Sequence, residues 1–148
     1  MLMTNSTIKH IFLRNNNFQE RAALHLKLVL LHNESLDTID LSWNSIRTRG
    51  AVAIAEGLQE NFGLKTFNLS MNGFDLMGAE GIGKAIKHNR TLRSLDISHN
   101  RIPPDGAKHI AKGLLENDGL QTLKMGSNPL GCEGPLDLLR AIQKNDIC

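Results

Sequence analysis

The stretch Leu36-Asp37-Thr38-Ile39-Asp40-Leu41-Ser42-Trp43-Asn44-Ser45-Ile46 decides the fold. Its apolar side chains fall at Leu36, Ile39, Leu41 and Ile46, and Thr38 and Asp40 alternate with Ile39 and Leu41. That alternation puts successive side chains on opposite faces of a short strand. The same arrangement returns 28 residues later, from Leu64 to Phe74, and again from Leu92 and from Leu120; it also runs back to Ile8.

Counted from those residues, position four holds Ile11, Ile39, Phe67, Leu95 and Leu123. Position six holds Leu13, Leu41, Leu69, Ile97 and Met125, and position eleven Phe18, Ile46, Phe74, Ile102 and Leu130. Position nine is always asparagine: Asn16, Asn44, Asn72, Asn100 and Asn128. Position 26 is asparagine as well: Asn33, Asn61, Asn89, Asn117 and Asn145. The units run without insertion over 8–35, 36–63, 64–91, 92–119 and 120–147, and residues 1–7 match the end of a preceding unit. Units of this length cannot bury their apolar side alone and do so by stacking. The chain 1–148 therefore reads as one α/β solenoid domain: a horseshoe arc of five 28-residue repeats with a parallel sheet on the concave side and helices on the convex side.

The second half of each unit has helical spacing. Ala51, Ile54, Ala55 and Leu58 recur at three- and four-residue steps, as do Ala107, Ile110, Ala111 and Leu114, so one helix face meets the sheet. Helices are expected over positions sixteen to 26. Small residues at position twenty (Ala55, Gly83, Ala111) permit close approach. Gly50, Gly78, Gly106 and Gly134 at position fifteen are expected to ease the turn into the helix, with Pro135 at the first helical position. The position-26 asparagines are expected near the helix end as left-handed caps. The position-nine asparagines are expected to form a structural ladder that satisfies backbone groups where the chain leaves the strand. Replacing Asn72 by Leu should then lower the thermal stability of the middle of the stack.

Composition narrows the function. Of the 148 residues, 41% are hydrophobic and 22% charged, with a net charge of +2. That is ordinary for a globular domain and too weakly basic to indicate nucleic acid. Aromatics are only 4%, with no tyrosine, consistent with a thin aliphatic layer between sheet and helices. No run of about 18 apolar residues suggests a membrane span. With two cysteines, Cys132 and Cys148, and no export signal in the given sequence, a reduced cytoplasmic setting is expected. No phosphate loop or metal-spaced Cys/His cluster occurs, and His99 beside Ser98 is only a sequence neighbour, so neither an enzyme activity nor a cofactor is expected.

The pattern L-x-x-L-x-L-x-x-N-x-L resembles the leucine-rich repeat, and the 28-residue period with glycine near position fifteen resembles its ribonuclease-inhibitor-like subclass. The segments Leu41-Ser42-Trp43-Asn44, Thr48-Arg49-Gly50-Ala51-Val52-Ala53 and Leu69-Ser70-Met71-Asn72-Gly73-Phe74 are similar to the leucine-rich repeat-containing protein 74 family. NOD-like receptor repeats are a more distant match. The resemblance implies an interaction scaffold with no catalytic residues.

The concave face and its rim are the candidate binding surface. Position five reads Phe12, Asp40, Asn68, Asp96 and Lys124; position eight, at the rim, reads Asn15, Trp43, Met71, His99 and Ser127. Trp43, Met71 and His99 are expected to form one contiguous patch with Asp40 and Asp96 beside it, and Trp and Met are effective binding anchors. The competing reading is ordinary surface, with Trp43 lying over Met71. At position 25, His32, Glu60, His88, Glu116 and Lys144 alternate in charge and could pair between helices, although a solvated face explains them as well. The sequons at Asn5, Asn33, Asn68 and Asn89 read as accidents of the repeat.

Neither end carries a polar cap. Leu2 and Asn5 match positions 23 and 26 of a preceding unit, and Cys148 would open a sixth. Either the chain is part of a longer solenoid or it hides its edges, including by association of copies through the uncapped ends. The expected function is a non-catalytic scaffold that binds a protein on the concave sheet and rim. The alternatives are a regulator of a small GTPase or other enzyme, since GTPase-activating proteins with a similar repeat share the architecture, and an innate-immune pattern-recognition receptor. No nucleic acid or membrane partner is expected.

Overall fold

The computed structural model describes residues 2–145; Met1 and residues 146–148, including Ile147 and Cys148, lie outside the described residues. The chain opens with a short 3-10 turn, Leu2–Thr4. Strand and helix then alternate: β1 His10–Phe12, α1 Glu20–His32, β2 Thr38–Asp40, α2 Thr48–Gln59, β3 Thr66–Asn68, α3 Leu76–His88, β4 Ser94–Asp96, α4 Pro104–Leu115, β5 Thr122–Lys124 and α5 Glu133–Lys144. The strands form one five-stranded sheet in chain order, all neighbours parallel. Register follows the repeat, with Ile39 beside Ile11 and Phe67, and Leu95 beside Phe67 and Leu123. The architecture is an α/β leucine-rich-repeat solenoid.

The core lies between sheet and helices. In the three central units, positions one, four, six and eleven are buried, as at Leu64, Phe67, Leu69 and Phe74. They meet helix residues such as Ile54, Leu58, Ile82, Ile86 and Ile110. Burial relaxes at the ends. Ile11, Leu13 and Phe18 in the first unit, and Leu123, Leu130 and Leu138 in the last, are only partly buried. The side facing away from β2 and α2 leaves a cleft of about 570 Å³ lined by Leu13, Phe18, Ala22, Leu26 and Val29 among others. A middle unit buries this face against its neighbour.

Three local expectations are corrected. The helices begin at position thirteen in four units and position fourteen in the last, so the position-fifteen glycines lie inside the first helical turn rather than before it. Their role is close packing: a Cβ on Gly78 would sit 2.9 Å from the Ala51 Cβ, and one on Gly106 2.9 Å from the Ala79 Cβ. Pro135 is the third residue of α5, while Pro104 takes the first position of α4; both fall among the first four N–H groups, which lack intrahelical partners. The position-26 asparagines are not left-handed caps. Asn33, Asn89 and Asn145 are extended C-caps, and Asn61 and Asn117 follow the caps Glu60 and Glu116. At position 25, the cross-unit ion pair of Glu116 is made with Lys87, a position-24 residue, at 2.9 Å.

Candidate functional site

Each strand ends at position five, and this column is in register across the sheet: Phe12, Asp40, Asn68, Asp96, Lys124. Beside it runs position three, His10, Thr38, Thr66, Ser94 and Thr122. Phe12 is 70% exposed. The three middle side chains have a backbone task. Asp40 Oδ1 accepts from the Ser42 N–H at 2.8 Å, Asn68 Oδ1 from Ser70 at 3.0 Å and Asp96 Oδ1 from Ser98 at 2.9 Å. These Asx turns lead the chain off the strand. Their signal was present as an Asp or Asn two residues before a serine in each of the three middle units.

Position eight follows that turn. Asn15, Trp43, Met71, His99 and Ser127 all have left-handed backbone, with φ of 57°, 56°, 56°, 52° and 57°. Where a unit follows, its carbonyls receive the amides of this turn. Trp43 N–H donates to the Ser70 carbonyl at 3.0 Å, Met71 to Ser98 at 3.0 Å and His99 to Gly126 at 2.8 Å. Ser127 keeps the same conformation in the last described unit, so the turn belongs to the repeat itself and the next unit's carbonyls reinforce it. Left-handed backbone costs a non-glycine residue roughly 1–2 kcal/mol, less for Asn. Trp43 is 48% exposed, His99 is exposed and Met71 half-buried. The guanidinium of Arg14, from the preceding unit, lies 5.9 Å from the centroid of the Trp43 ring, a cation–π contact.

Beneath this rim lie the position-nine amides. Asn44 Nδ2 donates to Leu13 O at 3.0 Å and Leu41 O at 2.8 Å, and its Oδ1 accepts from Asn16 N–H at 3.0 Å and Phe18 N–H at 2.9 Å. Asn72, Asn100 and Asn128 bridge two units in the same way. Asn16, in the first unit, is exposed and donates to Arg14 O.

A second amide column, at position 26, ties the opposite edge together. Asn89 Nδ2 donates to Leu58 O and Asn61 O, each at 2.8 Å, and its Oδ1 accepts from Thr91 and Leu92 at 3.0 and 2.8 Å. Asn33, Asn61 and Asn117 repeat this set, and the column begins at Asn5, whose Oδ1 accepts from Thr7 and Ile8. The five-fold recurrence of Asn at position 26 announced a common role; that its partner is the preceding unit needed the fold. Asn33 and Asn89 are 3% and 2% exposed with their amide nitrogens engaged, so in the folded chain neither side chain is accessible to a glycan.

Elsewhere the chemistry is that of a solvated surface. Among the described residues there is no group of three or more His, Cys, Asp or Glu able to hold a metal, and no helix long and apolar enough to cross a membrane. Hydrogen bonding from Lys65 holds the Asp37 carboxyl below its ordinary range, and Lys84 does the same for Glu80, while Asp105 raises the Lys108 ammonium. All three are surface ion pairs away from the rim, with Asp37 half-buried. Cys132 is exposed and free.

The Leucine Rich repeat family matches residues 32–55 and 88–111. No curated protein sequence matches the chain. Among solved structures, the chain is similar to one described as leiomodin-1 actin-binding site 2, at 20% identity and a TM-score of 0.83, covering 97% of this chain and 84% of that one. It is also similar to the tropomodulin C-terminal domain from Caenorhabditis elegans, at 11% identity and a TM-score of 0.74, covering 95% and 86%. At these identities the likeness is one of fold.

Proposed function

We propose that this leucine-rich-repeat solenoid is a non-catalytic cytoplasmic scaffold that binds a protein through its concave sheet and the adjoining rim. Phe12, Asp40, Trp43, Asn68, Met71, Asp96, His99 and Lys124 supply the contact surface, and the position-nine asparagines hold its shape. The observation that carries the reading is the rim. Trp43, Met71 and His99 stand in a backbone conformation that favours Asn or Gly, and Trp43 remains half-exposed there. Large side chains maintained at a cost to stability, facing outward, are what a docking surface requires. The ribonuclease-inhibitor-like assignment and the likeness to the leucine-rich repeat-containing protein 74 family belong to this proposal.

The leiomodin-1 neighbour is described as an actin-binding site, so actin is the first defined partner to try. The test is capture of purified actin, and of partners from native-cell lysate, on immobilised wild-type chain, Trp43→Ala, Asp96→Lys and Asp96→Asn. Asp96→Asn keeps the acceptor for Ser98 N–H and so controls for the turn. A partner held by the wild type and Asp96→Asn but weakened about tenfold or more by Trp43→Ala and Asp96→Lys supports the proposal. Equal capture by all four places binding off the concave face.

A further inference from the structure

The rim does more than offer an apolar anchor; its charges are unevenly committed. Every acidic side chain named on it already serves the backbone. Asp40 and Asp96 close the turns described above, and Asp75 caps α3 by accepting from Met77 N–H at 3.1 Å and Gly78 N–H at 3.3 Å. The arginines are different. Arg14, Arg47 and Arg101 are exposed and take part in none of the ion pairs among the described residues.

Two of the three are placed by their neighbours. Arg14 lies over the Trp43 ring. The stem of Arg47 crosses the next unit's loop, where a Cβ on Gly73 would meet its Cγ and lie 3.1 Å from its Cδ. Gly73 is thereby what leaves room for the arginine beside Met71. Arg14 and Arg101 belong to units three strand spacings apart, roughly 14 Å, which four or five residues of extended chain can span. Guanidinium groups are built for paired recognition of carboxylates, and they are weakly hydrated enough to bind at an interface.

We propose that the rim formed by Arg14, Trp43, Arg47, Met71 and Arg101 binds an extended acidic peptide segment of the partner, its apolar side chain seated on Trp43 and Met71 and its carboxylates on the arginines. This rests on the scaffold reading above and specifies its partner chemistry.

Trp43 is the chain's only tryptophan, so its emission reports directly on the rim. The probes are three short synthetic peptides carrying the same leucine–phenylalanine pair flanked by glutamate, by glutamine or by lysine. The glutamate peptide is expected to shift Trp43 emission and to bind roughly tenfold or more tightly than the lysine peptide, with the difference shrinking as salt is raised. Arg47→Glu/Arg101→Glu should reverse that order, and Arg47→Gln/Arg101→Gln should abolish it. Both sites are exposed, and thermal melts are to be run alongside to check that the variants fold. Preferential binding of the glutamine or lysine peptide, an order unchanged by charge reversal, or no response to any of the three would overturn the inference. Those results leave the scaffold reading intact, because it stands or falls on capture by Trp43→Ala.

Discussion

At the scale of single residues, the two asparagine columns show how one side chain serves two units. Each buried amide donates backward to carbonyls of the preceding unit while its oxygen accepts N–H groups in its own or the preceding loop. Removing such a group strands several buried partners at once. Asn89→Leu should cost about 2–4 kcal/mol, Asn72→Leu somewhat less because Asn72 is only half-buried, and Asn16→Leu close to nothing. Chemical denaturation of the three variants checks the order; equal losses at Asn16 and Asn89 would refute it. The invariance of both columns was plain in the sequence. The direction of the position-26 bonds was not, because an asparagine after a helix is equally at home as a local cap. The left-handed rim was hidden for another reason. Position eight varies from Asn to Trp, Met, His and Ser, so no residue preference marks a conformation that every unit adopts.

Elements pack as closely as their smallest residues allow. A Cβ on Gly83 would collide with the His109 carbonyl, and one on Gly113 with the Gly83 carbonyl, so α3 and α4 touch backbone to backbone. Gly83→Ala and Gly113→Ala should each cost about 1–3 kcal/mol by forcing the helices apart, whereas Gly126→Ala, with nothing within 4 Å, should stay within about 0.5 kcal/mol of wild type. Thermal melts decide this, and a neutral Gly83→Ala would mean that the helices can separate freely. Strand and helix existence followed from spacing alone. The helix starts did not, since glycine reads as a turn former until a facing helix gives it another purpose. On the convex side, the α3 pair Lys84–Glu80, at 2.8 Å, lowers the Glu80 pKa from its ordinary 4.5. A depressed carboxylate contributes stability above its unfolded value and loses that contribution as pH falls through its folded value. The small stability difference between wild type and Glu80→Gln should thus be present at neutral pH and fade as pH falls below the ordinary 4.5; a difference that persists undiminished in strong acid would rule out the ion pair as its source.

Over the whole molecule, stacking determines what is buried and what remains available. The central units close their cores on both sides, the terminal ones on one side only, and the apolar cleft at Leu13, Phe18, Leu26 and Val29 is the outer side of the first unit. Between the ends, the helices present ion pairs to solvent while the sheet and rim present Phe12, Trp43, Met71 and His99 with arginines around them. Fold and period were legible from one eleven-residue stretch because every unit repeats it. The partner is not legible in that way, since binding depends on the positions that differ between units.

The most direct test of concave-face recognition is amide hydrogen exchange of the chain with and without the partner that the wild type captures. Protection is predicted along β2 to β4 and the loops after them, from Trp43 to Arg47, Met71 to Gly73 and His99 to Arg101. Protection confined to the outer faces of α2 to α4, with those loops unchanged, would contradict the account.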